Sequence, residues 1–185
     1  ELHLEVIVDR LMTEHRVNVE VGKPSVAFRE TITAEFQHEY KLKKQTGGRG
    51  QYAHILFRVE PNPGKGLDFV DHIREGNIPK EFIPAVKKGF LSTMEKGLMA
   101  DYTMVDVKFI LLDGSFHPVD SSEIAFRYCT ELALKRAIKR SKIQLMEPLM
   151  KIEVNTPDEY MGEIISDIKR RRGQINNMRR YRKGS

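Results

Sequence analysis

The 185-residue sequence holds a single cysteine, Cys129, which excludes an internal disulfide and fits a reducing compartment. With no cysteine pair and only scattered histidines, a structural zinc ion has no ligand set, and no metal site is expected. No apolar run approaches the roughly 18 to 20 residues of a membrane span, and no signal-peptide pattern is visible, so a cytoplasmic protein without a membrane partner is expected. Internal repeats are also missing. Acidic residues are missing locally: the chain carries 31 basic and 26 acidic residues for a net charge of +5, yet residues 41–50 hold four basic residues and no acid. Residues 169–183 hold eight basic residues and no acid. An anionic partner is therefore expected to meet local clusters, since the bulk is only mildly basic. What is present in quantity is apolar side chain, 40% of the sequence, ample for a packed core.

Periodicity organises that apolar content. Leu4, Ile7, Val8 and Leu11 form a helical stripe with no N-cap residue before it, so the run is expected to begin inside a longer protein. Val17, Val19 and Val21 alternate as a strand would, and Gly22-Lys23-Pro24 punctuates like a domain boundary. Residues 27–33 and 35–43 read as two strands. Ala53, Ile55, Phe57 and Val59 mark a third, and a short strand is expected over residues 67–72. Pro84 suits the first turn of a helix whose stripe is Val86, Phe90, Leu91 and Met94 and which Gly97 closes. Val105, Val107, Phe109 and Leu111 predict a strand ending in Asp113-Gly114. A long helix follows over residues 122–142, with Asp120 and Glu123 at capping-box spacing. A strand over residues 151–155 leads to Thr156-Pro157-Asp158-Glu159, a helix start with Thr156 as cap. That helix buries Ile164, Ile165 and Ile168 and stops at Gly173. Residues 174–181 read as a strand with no sequence left to complete its domain.

The layout is α+β. Two loops stand out in this reading. Lys43, Lys44, Gln45, Thr46, Gly47, Gly48, Arg49, Gly50 and Gln51 make a glycine-rich basic hairpin loop between strands, and residues 113–120 make a second loop carrying His117. A glycine-rich hairpin is ordinarily only a turn, and a histidine after a strand is ordinarily a solvated loop residue. Asp120 is read as part of a helix cap, not a catalytic acid, since neither base nor nucleophile is paired with it. His54 and Cys129 are read as structural.

Several blocks together resemble elongation factor G, in order and spacing, over nearly the whole chain. Residues 1–11 resemble the last helix of that family's third domain, and Gly22-Lys23-Pro24 with Phe28-Arg29-Glu30-Thr31-Ile32 the start of its fourth. Lys44 to Tyr52 are similar to the fourth domain's tip loop, and Phe116-His117 with Val119-Asp120-Ser121-Ser122-Glu123 to the neighbouring tip loop. Glu147 to Val154 and Arg171-Arg172-Gly173-Gln174-Ile175 resemble the start of the fifth domain. The chain departs from the family pattern at Pro118 and Thr103, and residues 179–183 are more basic than that pattern.

The resemblance implies three parts: residues 1–22 from the third domain, 23–148 the fourth, and 149–185 the first β-α-β of the fifth. It implies a middle domain of ribosomal-protein-like α/β fold, a sheet with two helices shared with the GHMP small-molecule kinases, flanked by partial ferredoxin-like domains. It further implies that the tip enters the ribosomal A site, in the decoding centre of the small subunit, where it meets messenger and transfer RNA and promotes GTP-dependent translocation by a monomeric factor. The tip set is Lys43, Lys44, Gln45, Thr46, Gly47, Gly48, Arg49, Gly50, Gln51, Ser115, Phe116 and His117. Arg170, Arg171 and Arg172 are the candidate contact to large-subunit RNA. Glycines let backbone N–H groups approach phosphate, while lysine, arginine, glutamine and histidine supply charge and hydrogen bonds that read RNA shape.

The resemblance implies that GTP and magnesium belong to the full-length parent. The Walker-type Gly-x-x-x-x-Gly-Lys-Ser/Thr loop is nowhere in this sequence, so no cofactor and no catalysis are expected of the chain itself. A relative specialised in ribosome recycling or protection is the alternative. A small-molecule kinase of the same fold is the rival of a different class, disfavoured because the glycines lead into a strand and not a helix.

Overall fold

The computed structural model describes residues 2–22, 25–45, 50–74, 76–137 and 142–179. Contacts divide the chain into two units, Glu1–Pro148 and Leu149–Ser185.

In the first unit, α1 (Leu2–Thr13) precedes β1 (Arg29–Ile32), β2 (Phe36–Lys44), β3 (Gln51–Pro61) and β4 (Asp68–Asp71). Then come α2 (Ile83–Lys96), β5 (Val107–Ser115), α3 (Glu123–Ala137) and β6 (Ile143–Met146). The architecture is α+β. The main sheet has the order β2-β3-β5-β4, antiparallel except for the β4/β5 pair. Strict alternation gives the inner strand β3 one core face: Ala53, Ile55, Phe57 and Val59 are buried, and Tyr52, His54, Leu56 and Arg58 turn to the other face. The register slips between Leu56 and Phe57, where Asp113 and Leu111 are the successive partners on β5, a bulge just below the end that carries the loops.

α2 and α3 pack together, and α3 lies on β2 and β3. Phe109 anchors the core, stacked on Phe57 at 4.8 Å and on Phe69 at 5.5 Å, with Phe90 tilted against it at 5.2 Å. Such ring pairs each contribute about 0.5–1.5 kcal/mol beyond area burial.

A second, two-stranded sheet pairs β1 with β6, from Arg29 opposite Met146 to Ile32 opposite Ile143. Beside it the fully buried Glu30 spreads its carboxylate over four backbone N–H groups, those of Leu98, Met99, Ala100 and Tyr102, at 2.7–3.2 Å.

Several expectations are corrected. Residues 17–21, 151–155 and 174–179 are not strands, because alternation fixes only which face a side chain takes, and no other described strand lies beside them to form a ladder. β6 was not expected. It forms because the chain has left α3 by Lys142: the described helix ends at Ala137, and the Lys142 carbonyl accepts from the Thr33 N–H and hydroxyl. The strand ending in Asp113-Gly114 runs on to Ser115, so residues 113–115, read also as the start of the second loop, belong to β5, where Gly114 pairs with Ile55. Leu91 is 36% exposed and off the buried stripe, which runs through Val86, Phe90 and Met94.

α3 is capped by Ser122, whose Oγ accepts the Ala125 N–H at 3.1 Å, and not by Asp120. Residues 23 and 24 of the expected boundary, and 180 and 181 of the last expected strand, lie outside the described residues.

In the second unit, a 3-10 turn at Asp158–Tyr160 leads into α4 (Met161–Arg170). Thr156 does not cap it, because its hydroxyl donates to the Pro157 carbonyl instead. Ile164, Ile165 and Ile168 are half-buried on one side.

Candidate functional site

β2 and β3 form a hairpin whose last described pair is Lys44 with Gln51. Thr46, Gly47, Gly48 and Arg49 lie outside the described residues. Lys43, Lys44 and Gln45 are exposed at its end, while Gly50 and Gln51 are half-buried. Among the described residues neither lysine has an ion-pair partner, so their charge is open to an anion. Gly50, the described glycine of this loop, leads directly into β3 and not into a helix, unlike the phosphate cradle of a nucleotide enzyme.

The second loop follows β5. Ser115 ends that strand opposite His54, and Phe116 and His117 are exposed beyond it. Backbone and side chain both fasten this loop to the hairpin. Tyr52 N–H donates to the Asp120 carbonyl at 2.9 Å, and the Ser121 hydroxyl donates to the Tyr52 carbonyl at 2.8 Å. The same Ser121 oxygen accepts the His117 N–H at 2.9 Å, and Ser121 N–H returns to the His117 carbonyl at 3.1 Å. Each such bond stabilises by about 1 kcal/mol. Lys43, Lys44, Gln45, Gly50, Gln51, Ser115, Phe116 and His117 therefore share one end of the sheet, as described residues of two clasped loops.

His117 is held by its own loop. Its Nδ1 lies 3.3 Å from Val119 N and 3.2 Å from Asp120 N, both donors, so in the neutral ring the proton sits on Nε2. The ring is half-exposed and stands 6.1 Å from that of Tyr52, leaving Nε2–H to serve as a donor.

Sequence reasoning left Tyr52 and Ser121 out of the tip set, although both lie in the resembling blocks, and missed Glu39 and the role of His54. Tyr52 O and His54 Nδ1 each lie 2.9 Å from Ser115 Oγ, and His54 Nε2 lies 2.8 Å from Glu39 Oε1. The available signal was the outward phase of β3, on which Tyr52 and His54 alternate with the core residues. Cys129 is buried between strand carbonyls, its Sγ 3.4 Å from the Ala53 oxygen, and burial pushes its thiol up to about 12. It is a core residue. Among the described residues no group of three or more His, Cys, Asp or Glu is placed to hold a metal ion, and no helix is long and apolar enough to cross a membrane.

In the second unit, Arg170 closes α4, Arg171 bonds Asp167 at 2.8 Å, and Arg172 follows with a left-handed φ of +62°.

Residues 24–142 match the family described as Elongation factor G, domain IV, and residues 144–185 match Elongation factor G C-terminus. A crystal structure of a protein from Thermus thermophilus is similar over 98% of this chain, with a TM-score of 0.81 and 34% sequence identity. The chain spans 27% of that protein's length.

Proposed function

Because the chain belongs to the elongation factor G family, we propose that it is the ribosome-reaching part of a translational GTPase, acting by contact with RNA. Its tip enters the A site in the decoding centre, replaces contacts that hold the codon–anticodon duplex, and blocks the return of transfer RNA after translocation. Arg170, Arg171 and Arg172 contact large-subunit RNA. The factor works as a cytoplasmic monomer. GTP and magnesium are bound by the parent's GTPase domain, and this chain hydrolyses no nucleotide.

The observation that carries the reading is the clasp of two loops into one tip, in which the acid-free basic end of the hairpin stands beside the exposed ring of His117. Open positive charge binds phosphate without reading sequence, while the imidazole, glutamine and hydroxyl groups around it address 2′-hydroxyls and base edges.

The test is binding of the 185-residue chain to small ribosomal subunits across a salt series. If about four phosphates are neutralised, the log–log slope is about -3, and Lys44→Ala reduces its magnitude by about 0.7. His117→Ala weakens binding with little change in slope. Binding indifferent to both substitutions sinks the proposal.

A further inference from the structure

His54 is tied at both ring nitrogens, and the tip reading gives no role to either bond. It lies on β3 with Lys41 opposite on β2 and Ser115 opposite on β5, on the sheet face away from the helices. Its side chain is 16% exposed. A carboxylate only accepts, so the contact with Glu39 requires the proton on Nε2. In the neutral ring Nδ1 must then accept, and the only hydrogen Ser115 has to offer is its hydroxyl proton. With that proton turned to His54, the Ser115 oxygen receives the Tyr52 phenol proton. The chain runs Tyr52 to Ser115 to His54, and the Tyr52 oxygen offers only lone pairs outward.

A proton added to His54 reverses the first link, since Nδ1–H then donates to Ser115 Oγ. That frees the Ser115 hydroxyl proton, and when it turns to the Tyr52 oxygen the phenol O–H is released to donate elsewhere. We propose that His54 is a positioning residue of the tip, setting through Ser115 whether the Tyr52 hydroxyl accepts or donates toward an RNA phosphate oxygen. One proton is taken up and one O–H···O⁻ bond is gained, so the balance closes without a further reagent. The inference rests on the RNA-contacting reading of the same tip.

Other charged groups surround the relay, and the Tyr52→Phe comparison separates their effect from it. On β2, Glu39 bonds His54, while Lys41 and Lys43 stand opposite His54 and Tyr52. On β5, Asp113 is held below the usual carboxylate range mainly by its Asn77 and Gly114 hydrogen bonds, with a smaller contribution from the His54 charge. From the neighbouring loop His117 faces Tyr52, and the Asp120 carboxylate lies 3.5 Å from His117 Nδ1. None of these residues lies between Tyr52 and Ser115.

The test compares binding of the chain to small ribosomal subunits from about pH 5 to about pH 8, the range in which histidines titrate, for wild type, His54→Gln, Tyr52→Phe and Lys44→Ala. Wild-type affinity rises as pH falls, by at most about tenfold per pH unit for one linked proton. His54→Gln loses the part of that slope carried by His54, and Tyr52→Phe loses the share of it that passes through the relay. Retention of the wild-type slope by Tyr52→Phe overturns the relay, because charge on His54 alone would then account for it. If Lys44→Ala weakens binding while both relay variants titrate like wild type, the tip reading stands and this inference fails. No binding, or binding indifferent to Lys44→Ala, removes both. An independent reading is the imidazole nitrogen NMR of the free chain at high pH: the neutral ring carries its proton on Nε2, and a proton on Nδ1 refutes the proposal without any ribosome present.

Discussion

The Asp120 carboxylate lies against Gly50: a Cβ at that glycine would be 3.0 Å from Asp120 Cγ and 3.1 Å from each carboxylate oxygen. A glycine in the hairpin thus allows close approach of the loop that carries His117. Gly50→Ala is expected to cost about 1 kcal/mol as the carboxylate swings aside, and a larger residue more. Urea denaturation of Gly50→Ala, Asp120→Ala and the double variant measures this. The alanine should cost markedly less once Asp120 is shortened, and strict additivity would show that the contact carries no energy.

Ser121 serves both loops with one oxygen, donating to Tyr52 and accepting from His117. Ser121→Ala removes both bonds and is expected to destabilise the tip by about 1–3 kcal/mol. The effect should be local, because the core around Phe109 is untouched. Amide exchange at His117 should accelerate while exchange at Phe57 and Val59 stays slow. Unchanged protection at His117 would contradict the clasp.

The buried Glu30 ties β1 to residues 98–102. Burial alone raises its pKa, but the N–H groups of Leu98, Ala100, Met99 and Tyr102 outweigh it and hold the carboxyl below its ordinary value of 4.5. With the folded value depressed, the unfolded chain binds the proton more readily. The stabilisation is therefore complete above pH 4.5 and is lost as pH falls through the folded value. Glu30→Gln is expected to cost about 2–4 kcal/mol at neutral pH, since an amide cannot accept all four donors. Denaturant midpoints should converge between variant and wild type in acid. A difference that stays constant with pH would assign the cost to packing.

Much of this was legible in the sequence, for a physical reason: an element announces itself where one face is buried and the other wet. β3 is such a case, with Ala53, Ile55, Phe57 and Val59 wholly inside. Residues 151–155 alternate equally well and form no strand, because pairing depends on residues distant in sequence. β6 escaped notice for the converse reason, being four residues whose partner, β1, lies more than a hundred positions earlier. The candidate tip was legible as composition, through its lysines and glycines. The Tyr52–Ser121 and Tyr52–Ser115 bonds that join its loops were not, since they depend on the register of β3 against β5 and on the bulge at Leu56. Capping-box spacing at Asp120 is satisfied by chance, while Ser122, two positions later, receives the Ala125 N–H on its hydroxyl oxygen.

The end of α4 separates stability from function at one residue. Gly173 N–H bonds the Ile168 carbonyl at 2.8 Å and Arg172 N–H bonds that of Lys169 at 3.0 Å, the paired pattern of a Schellman closure. The left-handed position belongs to Arg172, with φ +62°, and not to the glycine. Gly173 is needed for another reason: a Cβ there would be 2.7 Å from Ile168 Cγ2 and 3.0 Å from its carbonyl oxygen. Arg172→Gly should therefore relieve about 1 kcal/mol of backbone strain and slow amide exchange at Gly173. If Arg172 contacts RNA as proposed, the same change weakens binding of the chain to large ribosomal subunits and lowers the salt slope by about 1. Gly173→Ala should do the reverse, opening the last turn of α4 while leaving the charge in place. Slower exchange with undiminished RNA affinity in Arg172→Gly would mean that this arginine only closes the helix, and that the RNA contact of the second unit lies elsewhere in its basic run.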